Sequence, residues 1–403
     1  MVINASLMGV IEEAFRNRGQ IGALYGAVNG IEGILQEEIA DLFLEEPERI
    51  HELRGTPGAA LGGCRYRLES DDPCEPDLKR IFAIFKKYDI RHFFYIGGND
   101  SMDTAMKIDS AARKLGHDLC VVGIPKTNDN DLMETDHCPG YGSSARYLIT
   151  SVIESGLHAQ SMKTAEPVTI LVTVGRDAGW LPAACSLAKR QPLDPPHILL
   201  LPEVIFDRAI FVRNVRKAYE QHGFVYIVTG EGLKNSSGQY ISAQRDALST
   251  DAFGHPALGG VAEVLQQMVE QDIRLKARVI KPDICQQAAV HLASGVDLDE
   301  AEECAHTAVR MSLNGQSGYM VTIRRQSSTP YSAVFDRAPL LKIANIDRAV
   351  PPEFIGEDGI SVTEAFKSYL SPLIKDASSP DAKNTLRFYR GLELKKAPVS
   401  ELR

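Results

Sequence analysis

His92-Phe93-Phe94-Tyr95-Ile96, running straight into Gly97-Gly98-Asn99-Asp100-Ser101, is the stretch that decides the fold. A short apolar run closed by two glycines reads as a buried strand ending in a tight turn. A helical pattern follows, with Met102, Ala105, Met106 and Ala112 facing inward. Working outward, the same grammar recurs. Leu119 to Ile124 reads as a second strand stopped by Pro125, and Val168 to Val174, Ile198 to Leu201 and Phe224 to Thr229 as three more. Between the last two, Asp207 to Gln221 places Phe211, Val215 and Tyr219 on one helical face. Near the start, Leu7, Val10, Ile11, Ala14 and Phe15 share another face, with Asn4 or Ser6 placed to cap it. Strand–loop–helix alternation of this kind predicts an α/β fold with mostly parallel sheets flanked by helices. In such sheets ligands sit beyond the carboxyl ends of the strands. The loops at Gly97, Pro125, Gly175 and Gly230 are therefore where chemistry is expected, while Ser371 to Asn384 reads as a surface connection.

A chain of 403 residues exceeds the size at which single cores stop growing, so at least two domains are expected. Apolar residues at 44% and charged residues at 24% describe a globular enzyme and not a disordered chain. A formal charge of −9 argues against nucleic acid or an anionic membrane as partner, although an anionic substrate needs only a few cations in one cleft. No apolar run reaches the ~18 residues of a spanning helix, and no basic leader precedes Ser6, so the cytoplasm is the default compartment. The seven cysteines are scattered without CxxC spacing and read as free thiols.

Four loops carry candidate chemistry. In Gly97-Gly98-Asn99-Asp100, the glycines let backbone approach a ligand and the helix start offers N–H groups to an anion. Asn99 and Asp100 add oxygen atoms suited to Mg²⁺; the plainer reading is that Asp100 or Ser101 caps a helix. Pro125-Lys126-Thr127-Asn128-Asp129-Asn130-Asp131 sets two carboxylates and a lysine in one loop. A carboxylate can take a hydroxyl proton and a lysine can neutralise developing phosphate charge, though Asx-rich turns also form for backbone reasons alone. In Val174-Gly175-Arg176-Asp177, an arginine at a strand end can grip a phosphate, or simply pair with Asp177. Glu231, in Thr229-Gly230-Glu231-Gly232, is placed to accept sugar hydroxyls or to sit solvated.

Together these residues resemble the phosphofructokinase family, and its pyrophosphate-dependent branch most closely. The resemblance runs through Gly26 to Gly33, Thr56 to Tyr66, Gly97 to Thr104, Pro125 to Asp131, Pro139 to Tyr147, Gly175 to Trp180, Pro202-Glu203 and Thr229 to Gly232. It implies two Rossmann-like domains with the active site in the cleft between them: 1–140 plus about 286–345 for the phosphate donor, and 141–285 plus about 346–403 for the sugar phosphate. It implies Mg²⁺-dependent, reversible transfer from pyrophosphate to the 1-hydroxyl of fructose 6-phosphate by a homodimer or homotetramer.

Residue by residue, the resemblance makes Asp129 the catalytic base, with Lys126 and Asp131 beside it. Asn99 falls at a metal-linked position. Gly98, Asp100, Lys126 and Arg65 fall in the donor site. ATP users of the family carry glycine where Asp100 and Lys126 stand, so a carboxylate repelling a nucleotide and an ammonium welcoming pyrophosphate imply the donor. Thr127, Asn128, Asp129, Val174, Gly175, Arg176 and Glu231 fall in the acceptor site.

Two departures from the pattern stand out. Members open with a strand and glycine-rich loop ahead of the residues matching Val2 to Ala5, so such a segment is expected upstream. The motif that grips the 6-phosphate has its nearest match at Pro282-Asp283-Ile284-Cys285-Gln286-Gln287, without a cation. Asp283 and Gln286 are then the acceptor candidates there, with Arg278 or Lys281 as the substitute charge. A non-catalytic binding paralogue and an ATP-dependent sugar-phosphate kinase are the competing readings.

Overall fold

The computed structural model describes residues 1–242 and 260–375. Its two principal sheets are the ones expected from the alternation, each four strands wide. After a small antiparallel ribbon, β1 (Tyr25–Ala27) with β2 (Ile39–Asp41), come β3 (His92–Gly97) and β4 (Cys120–Pro125). These two pair in parallel with Gly97 opposite Pro125, so the loops that follow them leave the sheet side by side. The sheet is completed by β9 (Tyr319–Ser328), parallel to β4, and β10 (Tyr331–Pro339), antiparallel to β9.

The second sheet holds β5 (Val168–Val172), β6 (Ile198–Leu200), β7 (Val225–Thr229) and β8 (Ala277–Ile280) in the order β6-β7-β5-β8, all parallel. β5, β6 and β7 are buried along their whole length, as strands covered on both faces must be. Register again gathers the ends: Val172 and Leu200 both lie opposite Thr229.

Helix Ile3–Arg16 packs along helix Gly295–Leu313 beneath the first sheet. The approach is close enough that a Cβ on Gly9 would sit 2.6 Å from the Glu302 carbonyl, so glycine is required there. Helix Asn99–Leu115 leads out of β3 and is closed by Gly116 in the left-handed region, φ 60°.

Several expectations need correction. Asn4 and Ser6 do not cap the first helix; Val2 holds the cap position. Asn4 is buried inside the helix, donating to the Thr56 carbonyl and accepting from Ala60 N. Ser371–Ile374 is a buried 3-10 turn and not a surface connection, because Leu373 and Ile374 fill the core around Trp180. The remainder of that connection and the C-terminal tail, from residue 376, lie outside the described residues. All seven cysteines are free, as expected. Among the described residues no helix is long and apolar enough to cross a membrane.

Candidate active site

The loop after β4 is built by its own polar side chains. Thr127 Oγ accepts from Asp129 N at 3.1 Å, and Thr127 N donates to the Pro139 carbonyl. Asn130 is fully buried at φ 57°, a left-handed conformation that asparagine tolerates better than most residues. Its side chain accepts from Cys138 N and donates to Tyr369 Oη. Gly140, at φ 111°, lies against this loop; a Cβ there would stand 2.7 Å from Asn128 Oδ1. Asp297 then binds Gly140 N and Ser143 N at 2.9 and 2.8 Å, occupying the start of helix Tyr141–Ser161.

The donor-side loop is tied on directly, since Lys126 N donates to the Gly97 carbonyl at 3.0 Å. Gly98 precedes helix Asn99–Leu115, and Asp100 stands exposed in its first turn. Arg65 is exposed too, next to Cys64, which packs with Tyr95 of β3.

From the second sheet, Gly175 adopts φ 111° and brings the Val174–Arg176 loop to the same place. A Cβ on it would lie 3.8 Å from Asp129 Oδ1. Gly232 lets the Glu231 loop touch the Arg176 backbone, where any side chain would collide. Glu203 braces this side, accepting from Gly179 N and Val350 N at 2.8 Å each. Asp177 accepts from Lys234 and Tyr240.

The electrostatics follow from this convergence. Burial raises the Asp129 pKa above the usual aspartate range; Lys126 and Arg176 pull it down, while Glu231 and Asp347 push it up. Asp131 is raised by burial and by the charges of Asp129 and Asp347. Burial lowers the pKa of the Lys126 ammonium, with Asp129 and Asp131 opposing. Burial likewise raises Glu231, between Arg176 and Lys281, which lower it, and Asp283, which raises it further. Lys126, Arg176, Glu231, Asp131 and Asp347 are thus all within electrostatic reach of Asp129. Because a bound divalent cation favours the ionised form of nearby carboxylates, the acid limb of the pH–rate profile is expected above the ordinary carboxylate range at low Mg²⁺. It should move to lower pH as Mg²⁺ is raised, and initial rates across pH at two Mg²⁺ concentrations check this.

Not every expected residue joins. Arg278 lies opposite Thr169, near the start of β5, and pairs there with Glu166, away from the strand ends where the other candidates gather. Gln286 is buried, its Oε1 accepting from Val174 N at 3.2 Å, so it holds the Val174–Arg176 loop through the backbone. Asp283 is brought close, at φ 45°, beside Glu231. Asn99, expected at the metal, is held by the 345–347 turn: its Oδ1 accepts from Asn345 N and its Nδ2 donates to the Ile346 carbonyl and to Asp347 Oδ1.

Asp347 itself, Arg348 and Asp297 escape sequence reasoning. None follows a strand, and Asp347 and Arg348 lie more than 200 residues from the loops they serve.

The donor set for a metal is oxygen-only. Asp131 Oδ1 is buried without a hydrogen-bond partner, and the charges of Asp129 and Asp347 both disfavour its ionisation. Among the described residues, no three acidic, His or Cys side chains close around one point. Both facts fit Mg²⁺, which is usually held by one or two carboxylates together with water and substrate phosphate.

An aspartate pair and a lysine on one strand-end loop, facing an arginine and a glutamate from a second parallel sheet, are the parts a phosphotransferase site needs. The phosphofructokinase family model matches residues 1–311, and the chain belongs to that family. It is 42% identical to the pyrophosphate–fructose 6-phosphate 1-phosphotransferase of Halomonas elongata, over 96% of this chain and 91% of that one. It is also 42% identical to the protein of the same description from Xanthomonas campestris, over 93% of this chain and 88% of that one. The crystal structure of the pyrophosphate-dependent phosphofructokinase of Nitrosospira multiformis superposes with a TM-score of 0.83 at 36% identity, covering 94% of this chain and 92% of that one.

Proposed function

We propose that this chain transfers a phosphoryl group from pyrophosphate to the 1-hydroxyl of fructose 6-phosphate, giving fructose 1,6-bisphosphate and phosphate. The observation that carries the reading is the position of Asp129, between the Lys126 ammonium on the donor side and Arg176 and Glu231 on the acceptor side. Ionised Asp129 accepts the proton of the attacking hydroxyl. Lys126 neutralises the charge that grows on the departing phosphate. Glu231 accepts hydrogen bonds from the sugar, and the Val174–Arg176 loop orients it. Mg²⁺, held through Asp131 with Asp129 or Asp347 near it, would screen the charge of the donor phosphates. Thr127 and Asn128 frame the base, while Gly98, Asp100 and Arg65 line the donor side.

In domain terms, residues 1–140 plus about 286–345 carry the donor and 141–285 plus about 346–403 the acceptor. Assembly as a homodimer or homotetramer belongs to the same reading, and light scattering on the purified protein checks it.

Because a phosphoanhydride and a phosphate ester exchange here, the reaction is expected to run both ways. ³¹P NMR of protein, Mg²⁺, fructose 1,6-bisphosphate and phosphate should show pyrophosphate appearing. Persistent silence in both directions would remove the reading.

The acceptor's far phosphate needs a cation, and Lys281, which with Arg176 acts on Glu231 and pairs with Glu263, is the candidate. Lys281→Ala is expected to raise KM for fructose 6-phosphate about 10- to 100-fold, the loss of one charge-assisted contact. Arg278→Ala should leave it unchanged. Equal effects from the two variants, measured by steady-state kinetics, would place the phosphate elsewhere.

A further inference from the structure

Asn345 to Val350 has no regular secondary structure of its own, yet it crosses three loops of the site. At one end Asn345 N and Asp347 Oδ1 hold the Asn99 amide of the donor loop. At the other, Val350 N shares Glu203 with Gly179 of the acceptor loop. Between them, Arg348 grips the loop that carries the base.

The grip is made with the whole residue. Arg348 N donates to the Asp131 carbonyl at 2.7 Å. Nε and one terminal nitrogen donate to the Asn130 carbonyl at 3.1 and 2.9 Å. The other terminal nitrogen reaches the Thr135 and Asp136 carbonyls, both at 2.6 Å. The guanidinium is itself fixed, lying 4.6 Å from the Trp180 ring centroid, while Trp180 Nε1 donates to the Arg348 carbonyl at 2.9 Å.

Asn130 is the residue in left-handed backbone between the two carboxylates, so its peptide sets where Asp129 and Asp131 point. The charges that act most on Asp129 are those of Lys126, Glu231, Asp347 and Arg176, so Arg348 acts there chiefly through geometry.

We infer that Arg348 is a positioning residue for phosphoryl transfer: its fork holds the Asn130 peptide, and through it the base, against a strap joining the donor and acceptor loops. The inference rests on the reading of Asp129 as base. A lysine keeps the charge and cannot span three carbonyls, so geometry and charge are separable.

The test compares wild type, Arg348→Lys and Arg348→Ala in pyrophosphate-dependent transfer, each assayed well below its own Tm. Small displacements of a reacting group can cost about 100-fold, so Arg348→Lys is expected to lose about 10- to 100-fold in kcat. Both KM values should stay within about 3-fold, as expected when only transition-state geometry is lost. The acid limb of its pH profile should not move, and millimolar guanidinium should restore part of kcat to Arg348→Ala. Wild-type kcat in Arg348→Lys overturns the inference. So does a loss confined to KM, or one that disappears below Tm and is insensitive to guanidinium. An inactive wild type would instead overturn the reading of the site, and this inference with it.

Discussion

Asp129→Asn is expected to lower kcat by about 10²–10⁴-fold, the usual contribution of a positioned general base, with both KM values changed little. The substitution keeps the size of the side chain, removes its charge and its capacity to take a proton, and turns one acceptor oxygen into an N–H donor. The same variant should be no less stable than wild type at neutral pH. The sign follows from the raised pKa: the folded protein disfavours the Asp129 carboxylate relative to the unfolded chain. Its ionisation therefore opposes folding above that raised pKa, and the opposition vanishes below the unfolded value. A neutral isostere removes that penalty. Steady-state kinetics with thermal melts separates the two effects. Loss of activity accompanied by a large fall in Tm would mean that Asp129 holds the loop together instead of acting on the substrate.

Lys126→Ala is the second large effect, an expected fall in kcat of about 10²–10³-fold, comparable to removing one preorganised electrostatic donor. Lys126 also lowers the pKa of Asp129, so its removal should shift the acid limb of the pH profile upward. Glu231→Gln, which removes a charge that raises Asp129, should shift the limb the opposite way. Opposite movements in the two variants would identify one shared electrostatic cluster. A limb that stays in place in both would show that the titrating group is not Asp129.

How much of this was legible in the sequence depends on whether a feature was local. β3, β4, β5, β6 and β7 could be read to within about two residues because each is a short apolar run closed by glycine, proline or threonine. The loops after them could be read as sites for the same reason, since strand ends are where such sheets bind. β8, β9 and β10 were missed. β8 has one buried residue, Ala277. In β9 only Met320–Ile323 are continuously buried; its pairing with β4 ends at Met320, and beyond Ile323 no residue of the hairpin's first strand is buried. Asn4 looked like a cap because caps are recognised by residue type, whereas its contacts to Thr56 and Ala60 are long-range. Arg278 looked interchangeable with Lys281 three residues on, yet they point to opposite ends of β8, and only the register with β5 separates them. Asp347 and Arg348 carry no local signal at all. An Asp-Arg pair in an irregular segment acquires meaning only when the chain brings it back against the Asp129 loop.

The donor is the central claim, and it rests on Lys126 and Asp100 standing at adjacent strand ends. The measurement that tests it most directly is the ratio of kcat/KM for pyrophosphate and for ATP, with fructose 6-phosphate and Mg²⁺ saturating. Turnover with pyrophosphate and at most trace turnover with ATP is the expected result. A preference for ATP would contradict it, leaving the fold and the base in place but overturning the role of Lys126 and Asp100.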